Sequence, residues 1–175
     1  LETLWADFDP VPVGAASIAQ VHRAVTNDGR QVAVKVLRPG VRERFARDIG
    51  TYEWAAAHLE RFGGEAARLR PRLIIANFKR WTNRELDLRR EAASASELAE
   101  HMVGTAGYDI PGIDWDRTNG RVLTVDWIDG IKISDVAALK AAGHDTKDLA
   151  NRLVLAFLKQ AIAAGFFHAD MHQGN

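Results

Sequence analysis

The chain contains no cysteine. Disulfide bonds, thiolate metal sites and cysteine nucleophiles are therefore excluded. It also has no net charge, because 23 lysines and arginines balance 23 aspartates and glutamates, and this balance predicts no broad basic surface for nucleic acid. No apolar run approaches the roughly 18 residues that a membrane-spanning helix requires. We therefore expect a globular protein that has no nucleic-acid partner and is compatible with a reducing compartment.

The chain does have enough apolar material for a sizeable core. Of its 175 residues, 47% are hydrophobic and 26% are charged, which is normal for a globular domain. This length suits one domain or most of a larger one. The N-terminus, Leu1-Glu2-Thr3, carries neither an initiator methionine nor a signal-peptide pattern. We therefore expect a piece of a longer protein, truncated at both ends.

Turn signals and β-branched runs predict an antiparallel sheet near the start of the chain. Residues 1–12 contain two prolines and are predicted to be an irregular lead-in. Residues 13–25 are predicted as two strands around a tight turn of small residues. Asn27-Asp28-Gly29 is a strong hairpin signal, and the run from Gln31 to Leu37 is predicted as the next strand.

Four segments carry helical periodicity or good helix formers: 41–62, 72–102, 134–142 and 146–164. Two short strands are predicted between the second and third helices, over 110–113 and 121–125. Ser134 is a candidate cap for the third helix, and Asp145 or Thr146 for the fourth. The fourth helix has a wide apolar stripe that predicts burial, although a lobe left open at its end would expose that stripe.

Lys35 lies among valines in the predicted strand 31–37. Because side chains alternate along a strand, Lys35 and Ala33 face one way and the valines the other. A half-buried lysine facing a cleft can reach nucleotide phosphates. The alternative is an ordinary lysine on the solvent face of a strand.

Acidic residues recur in the predicted helix 72–102, at Glu85, Asp87 and Glu91. In a continuous helix Glu85 and Asp87 diverge, whereas Asp87 and Glu91 share a face. Glu91 is a candidate ion-pair partner for Lys35, as in protein kinases. The alternative is a solvated helix whose carboxylates pair locally with neighbouring arginines.

Residues 14–20, Gly-Ala-Ala-Ser-Ile-Ala-Gln, stand where a kinase carries its glycine-rich phosphate loop. Alanine still permits a close approach of backbone to ligand, but its Cβ disfavours the positive φ angles that glycine allows. A stiffer phosphate loop is therefore one interpretation. A plain small-residue turn packed under another element is the other.

The last residues read His168-Ala169-Asp170-Met171-His172-Gln173-Gly174-Asn175. This is the H-x-D pattern of a kinase catalytic loop, with asparagine five positions after the aspartate. Asp170 is the candidate catalytic residue and Asn175 the candidate Mg²⁺ ligand, because magnesium prefers hard oxygen donors. Alternatively, Asp170 is a residue of the turn after a helix. The spacing of the two histidines does not predict zinc.

The motif order predicts an α+β, protein-kinase-like two-lobe fold. Residues 1–125 would form a strand-rich N-lobe with a helical insertion, 126–130 a hinge, and 131–175 the beginning of a helical C-lobe. Trp127 lies in this hinge, where an adenine ring would stack. A nucleotide between two lobes agrees with the preference of ligands for clefts at domain boundaries.

Five motifs together resemble the UbiB family of atypical kinase-like proteins linked to ubiquinone biosynthesis. They are the segments 15–24 (AASIAQVHRA), 32–40 (VAVKVLRPG), 85–92 (ELDLRREA), 122–130 (VLTVDWIDG) and 165–175 (GFFHADMHQGN). The resemblance spans about residue 10 to the C-terminus. Three departures are visible: Gly14 in place of an alanine, and Met171 and Gln173 in place of two prolines.

The resemblance implies a role for each matching residue. Ala15, Ala16 and Ser17 would belong to an alanine-rich phosphate loop. Lys35 would contact the α and β phosphates and pair with Glu91. The remaining roles are a hinge contact to nucleotide at Asp126 and Ile128, an E-x-D motif covering the cleft at Glu85 and Asp87, catalysis at Asp170 and metal binding at Asn175.

The resemblance further implies an enzyme, an atypical kinase or ATPase that binds ATP or ADP with Mg²⁺ and supports prenyl-quinone biosynthesis. Lipid or quinone-pathway proteins are the expected partners, and the expected location is cytoplasmic, peripheral to the inner membrane in the full-length protein. The family's K-x-G-Q segment and D-F-G aspartate are not found in this sequence, so we expect the chain alone to be inactive. The alternatives are a pseudokinase scaffold that binds nucleotide or lipid, and a small-molecule phosphotransferase of the aminoglycoside or choline kinase type.

Overall fold

The structure, a computed structural model, describes residues 4–64 and 68–165. Its centre is a five-stranded antiparallel sheet with the spatial order β1-β3-β4-β5, and β2 also pairs with β3. The strands are β1 (Trp5–Phe8), β2 (Gly14–Ala15), β3 (Ala19–Thr26), β4 (Gln31–Leu37) and β5 (Val122–Asp126). This antiparallel sheet with accompanying helices confirms the predicted α+β class.

The hairpin between β3 and β4 forms where its turn signal predicts. Gly29 has a φ of 86°, a left-handed conformation that glycine adopts without steric cost. Thr26 is fully buried, and its Oγ1 both accepts from the Arg30 amide at 3.0 Å and donates to the Arg30 carbonyl at 3.2 Å. The β4 strand has the predicted bounds, and its register places Lys35 opposite Val21 on β3 and Leu123 on β5.

Five α-helices accompany the sheet among the described residues: α1 (Val41–Phe62), α2 (Pro71–Glu85), α3 (Leu88–Met102), α4 (Val136–Ala141) and α5 (Thr146–Leu158). A 3₁₀ turn, Trp115–Arg117, precedes β5, and a π-helical segment, Lys159–Ala164, continues α5. Gly165 ends that segment in a left-handed conformation, with a φ of 64°. The predicted bounds of α1 are confirmed. The division at 126–130 into two lobes stays a prediction.

The prediction of one continuous helix over 72–102 is wrong. The chain leaves the helix at Leu86 and re-enters at Leu88, with Asp87 extended between them at φ −116° and ψ 94°. Leu86 and Leu88 are both buried in the core, and Asp87 accepts a hydrogen bond from the Arg89 amide as the N-cap of α3. An aspartate cap can start a new helix without any proline or glycine, so no breaker residue announced this boundary.

Two hydrophobic clusters occupy the two faces of the sheet. The face that carries Lys35 packs against the start of α1, the junction between α2 and α3, and α3. Its cluster contains Ala19, Leu37, Val41, Leu86, Leu88, Ala92 and Leu123. The opposite face carries Trp5, Ala24, Val32 and Val34. The predicted alternation along β4 is therefore confirmed, with Val32 and Val34 fully buried. As a result, the lysine faces the helical side of the sheet.

The predicted irregular lead-in and the strand 110–113 are corrected. Trp5–Phe8 forms the edge strand β1, because Trp5 is buried and lies under the Arg117 guanidinium at 5.7 Å. In the second segment only Ile113 bridges to β5, since Pro111 has no amide proton for a sheet ladder. The chain turns there into Trp115–Arg117.

The apolar stripe of α5 is not buried among the described residues. Ala156 packs with Leu98 and Met102 of α3, but Leu153, Val154 and Ile162 are 39%, 56% and 78% exposed. The prediction of a buried helix is therefore wrong here, and the expectation of an exposed stripe agrees with the structure. The helix caps are Asp135 for α4, rather than Ser134, and Asp145 for α5. No helix in the described ranges is long and apolar enough to cross a membrane.

Candidate functional site

Lys35 and Glu91 form a two-pronged ion pair between β4 and α3. The lysine Nζ lies 2.8 Å from Oε1 and 2.7 Å from Oε2 of Glu91. The two side chains are 32% and 49% exposed, so water screens the attraction and the pair contributes at most about 1 kcal/mol to stability. Its structural effect is orientation, because it fixes the ammonium group at the helical face of the sheet.

The sequence around Asp87 explains why α3 presents Glu91 to the lysine. Asp87 caps the helix, and Leu88 and Ala92, four residues apart, both point into the core. Glu91 follows the cap by one helical turn and projects from the edge of that buried face. Asp87 precedes the helix and Glu85 ends α2, so the shared helical face predicted for Asp87 and Glu91 is wrong.

Asp87 is held ionised by its surroundings. Both carboxylate oxygens accept from the Arg89 guanidinium, at 2.9 and 2.8 Å. This hydrogen bond, with a smaller contribution from the positive charge of Arg42, lowers the pKa of Asp87 from 3.8 to about 2. Glu85 is exposed at the end of α2. These contacts give Asp87 a helix-capping role, and the E-x-D function stays a prediction.

Ala15 ends β2, and Ala16 and Ser17 lie in the loop between β2 and β3; all three are exposed. The Ala16 amide donates to the Ala19 carbonyl at 2.9 Å, which closes a tight turn. The Ala16 carbonyl accepts from Nε of Arg38 at 3.0 Å. Sequence reasoning missed Arg38, because a guanidinium that binds a backbone carbonyl leaves no sequence signature.

Asp126 ends β5 and begins the predicted hinge. Its amide donates to the Gly112 carbonyl at 2.9 Å, and its Oδ1 lies 3.6 Å from Nη1 of Arg30. The same arginine donates at 2.9 Å to Asp114, whose side chain is only 4% exposed. The start of the hinge is therefore attached to the turn between β3 and β4.

Trp127 and Ile128 follow in different surroundings. The Trp127 amide donates to the Gln31 carbonyl at 3.1 Å, and the Arg23 guanidinium lies 5.0 Å from the centre of the indole ring. Ile128 is 61% exposed, and within the described ranges its amide makes no hydrogen bond to backbone. Nucleotide contacts at Asp126 and Ile128 stay predictions.

Asp170, Asn175 and the two histidines of the terminal motif lie outside the described residues. Within 4–64 and 68–165 no group of three or more histidines, aspartates or glutamates could hold a metal ion. Catalysis at Asp170 and metal binding at Asn175 therefore stay predictions. The structure does bring together Lys35 and Glu91, which are 56 positions apart in the chain.

An antiparallel sheet with a lysine paired to a glutamate on the packed helix is the arrangement of a protein-kinase-like fold. Similarity to a solved structure agrees with this class. That structure is Rv3197 from Mycobacterium tuberculosis in complex with erythromycin, with a TM-score of 0.74 and 27% identity over 98% of this chain and 42% of that chain. The whole chain, residues 1–175, matches the family model of the ABC1 atypical kinase-like domain. The chain therefore belongs to the ABC1 family of atypical kinase-like domains.

Curated relatives confirm the resemblance to UbiB proteins. A protein named "Probable protein kinase UbiB" from Marinobacter nauticus is 44% identical over 172 residues, which are 98% of this chain and 31% of that protein. Proteins of the same name from Cellvibrio japonicus and Xylella fastidiosa are 40% and 39% identical, over 98% and 100% of this chain. The chain spans about a third of the length of these relatives. Membership of this family, together with the names of these relatives, supports a kinase-like enzyme at the family level.

Proposed function

We propose that this chain forms most of the nucleotide cleft of an atypical kinase or ATPase that binds ATP or ADP with Mg²⁺. The observation that carries the proposal is the ion pair between Lys35 and Glu91, at 2.7 and 2.8 Å. An ammonium group has three N–H donors. Two of them meet the oxygens of Glu91, and the third is left for a phosphate oxygen.

The hinge segment supports the same proposal. The Ile128 amide has no backbone partner in the described part of the chain, so it can donate to an adenine ring nitrogen. Trp127 supplies an aromatic surface next to it. The proposal assigns magnesium binding to Asn175 and the chemical step to Asp170, which both lie outside the described residues.

We extend the proposal to pathway and location on the strength of the UbiB relatives. The full-length protein would support ubiquinone or another prenyl-quinone biosynthesis, with lipid or quinone-pathway proteins as partners. It would work in the cytoplasm, with peripheral attachment to the inner membrane through regions outside this chain. Nucleic acid is not among the proposed partners, because the chain has no excess of positive charge.

One observation favours a second candidate, a pseudokinase scaffold that binds nucleotide without turnover. The Ala16 amide is engaged with the Ala19 carbonyl at 2.9 Å, so it is not available as a phosphate donor. A phosphate loop with fewer free amides holds its ligand less firmly. The scaffold predicts saturable binding of nucleotide and no hydrolysis in the full-length protein with Mg²⁺.

The structural neighbour favours testing a third candidate, a small-molecule phosphotransferase. Rv3197 was solved with erythromycin, which bears hydroxyl groups that can in principle accept a phosphoryl group. Transfer of phosphate from ATP to a macrolide, an aminoglycoside or choline would favour this candidate. Turnover of ATP without any such acceptor would favour the ATPase.

The test is a calorimetric titration of the full-length protein with ATP and with ADP, each with and without Mg²⁺. We expect binding in the wild type. Loss of a charge-assisted hydrogen bond in Lys35→Ala should weaken it by about 10- to 100-fold. Lys79→Ala is the matched control, because Lys79 also forms a half-exposed ion pair, with Glu53 at 2.9 Å, but on the outer helices.

Equal nucleotide affinity or equal ATP turnover in the wild type and Lys35→Ala would exclude the proposed cleft. Equal losses in Lys35→Ala and Lys79→Ala would show a general effect of charge instead of a phosphate contact. Turnover that disappears in Asp170→Asn would exclude the scaffold.

A further inference from the structure

The segment that follows the Lys35 strand contacts both sides of the candidate nucleotide site. β4 ends at Leu37, and Arg38-Pro39-Gly40-Val41-Arg42 leads into α1. Gly40 has a φ of 69°, a left-handed conformation that turns the chain sharply between the two arginines. Because of this turn, side chains only four positions apart reach different neighbours.

Arg38 holds the loop between β2 and β3. Its Nε donates to the Ala16 carbonyl at 3.0 Å, and its backbone amide donates to the Ile18 carbonyl at 2.8 Å. Both ends of the turn that carries Ser17 are therefore attached to one residue. That residue lies three positions after Lys35, so the loop and the lysine are held in a fixed relation.

Arg42 holds the other side, where α3 begins. Its Nη2 donates to the Leu86 carbonyl, the last residue before the Asp87 cap, and at 2.9 Å to the Gly120 carbonyl. The Gly120 carbonyl also accepts from the Leu88 amide at 3.4 Å. A single guanidinium nitrogen thus joins α1, the junction between α2 and α3, and the turn before β5.

The surroundings of Gly120 are tight. A Cβ at this position would lie 3.2 Å from Oδ1 of Asp87, 3.6 Å from Nη2 of Arg42 and 3.7 Å from Nε of Arg89. Contacts at 3.2 Å are closer than ordinary van der Waals packing, so the neighbours would have to move. Asp87, Arg42, Arg89 and the turn at Gly120 therefore form one closely packed group. This group lies one helical turn from Glu91.

We propose that Arg38 and Arg42 are positioning residues of the nucleotide site, Arg38 for the alanine-rich loop and Arg42 for the helix that carries Glu91. The inference rests on the proposed nucleotide-binding function and deepens it. Arg42 acts through Glu91, whereas Arg38 acts through the loop, so the two arginines should differ in their dependence on Glu91.

A double-mutant cycle separates these routes. The variants are Arg38→Gln, Arg42→Gln and Glu91→Gln, each alone and in pairs with Glu91→Gln, and the readout is the affinity of the full-length protein for ADP with Mg²⁺. We expect each arginine variant to lose about fivefold in affinity, within the range of coupling between neighbouring groups. The double variant of Arg42→Gln with Glu91→Gln should lose less affinity than the product of the two single losses. The double variant of Arg38→Gln with Glu91→Gln should lose the full product of its two single losses.

Arg44→Gln is the matched control. Arg44 lies on α1 two positions after Arg42 and is exposed, and its side chain makes no ion pair or hydrogen bond with the described residues. Arg42→Lys should recover part of the affinity, because an ammonium group can donate to two carbonyls. Amide hydrogen exchange of Leu88–Ala92 should become faster in Arg42→Gln and stay unchanged in the control, with or without nucleotide.

The outcomes distinguish a failure of the positioning roles of Arg38 and Arg42 from a failure of the proposed nucleotide-binding function. Affinities of Arg38→Gln and Arg42→Gln equal to that of Arg44→Gln, in a wild type that binds ADP, would overturn the inference alone. Independent losses from Arg42→Gln and Glu91→Gln would overturn the route through Glu91. A wild type that binds no nucleotide would overturn the proposed function, while the exchange rates would still support or refute the positioning of α3 by Arg42.

Discussion

Replacing Asp87 with alanine removes the group that starts the Glu91 helix. Its Oδ1 accepts from the Arg89 amide at 3.3 Å, and its two oxygens bind the Arg89 guanidinium. Loss of an aspartate cap costs about 0.5–2 kcal/mol. The ion pair adds no more than about 1 kcal/mol, because Arg89 is 64% exposed. We expect Asp87→Ala to lower the free energy of unfolding by about 1–2 kcal/mol.

This contribution depends on pH in a defined direction. The hydrogen bond from Arg89 lowers the pKa of Asp87 from 3.8 to about 2 in the folded protein. A depressed folded-state pKa stabilises the protein above the unfolded pKa, and that stability is lost as the pH falls through the folded pKa. The difference between the wild type and Asp87→Ala should therefore be complete at neutral pH and shrink as the pH falls from 3.8 to about 2.

Urea unfolding of the full-length protein, at neutral pH and in acid, measures this difference. Asp87→Asn is the matched control, since asparagine caps helices as well as aspartate does but carries no charge. It should keep most of the stability at neutral pH and lose the acid dependence. Asp87→Ala should also weaken nucleotide binding, because Glu91 lies on the first turn that the cap orders. An unfolding midpoint of Asp87→Ala equal to that of the wild type would refute the capping role.

Three further substitutions test the packing around the site, each by urea unfolding of the full-length protein. Gly14→Ala should be neutral or stabilising by up to about 1 kcal/mol, because its Cβ would meet nothing closer than the Val21 Cβ at 4.0 Å; a clear loss would contradict this. Asp114→Ala should cost about 1–3 kcal/mol, since the carboxylate is only 4% exposed and its loss removes the acceptor, at 2.9 Å, of Arg117, which is itself 18% exposed; a loss below about 0.5 kcal/mol would contradict the buried pair. Leu88→Ala should cost about 2–5 kcal/mol, because the side chain is 1% exposed; a surface-like effect would place it outside the core.

Local patterns predict the elements whose residues decide their own conformation. The β4 strand and α1 have the predicted bounds, because alternating valines and a long run of good helix formers act over short distances. The turn at Gly29 was predicted for the same reason. The edge strand β1 was missed, since four residues beside two prolines carry little local signal and become a strand only by pairing with β3.

The break between α2 and α3 at Asp87 shows a second limit of prediction from local sequence patterns. A helical pattern continues through Leu86 and Leu88, and only tertiary contacts make the interruption favourable. The Arg42 guanidinium donates to the Leu86 carbonyl, which the break frees, and the Gly120 carbonyl accepts a hydrogen bond from the Leu88 amide. Such contacts join residues far apart in the chain, so no window of sequence contains them.

The candidate site likewise contains residues that the sequence predicts and residues that only tertiary contacts reveal. The motif order predicted the pairing of Lys35 with Glu91, which the structure contains. Sequence reasoning did not find Arg38 or Arg42, because arginines that bind backbone carbonyls are indistinguishable in sequence from solvated ones such as Arg44. Their roles are evident only in the structure, where they donate to the carbonyls of Ala16, Leu86 and Gly120.

The attachment of the hinge to the sheet determines where any rotation between the lobes would pivot. The amides of Asp126 and Trp127 are both bound, to Gly112 and Gln31, and Arg23 covers the Trp127 ring. A pivot at either residue would break these contacts. For the predicted two-lobe division, the axis would therefore lie farther along, at the exposed residues 128–130. Because Trp127 is fixed to the sheet, the indole would keep its place in such a rotation, and the backbone change would be borne by about three residues. The same rotation would also separate Ala156 of α5 from Leu98 and Met102 of α3.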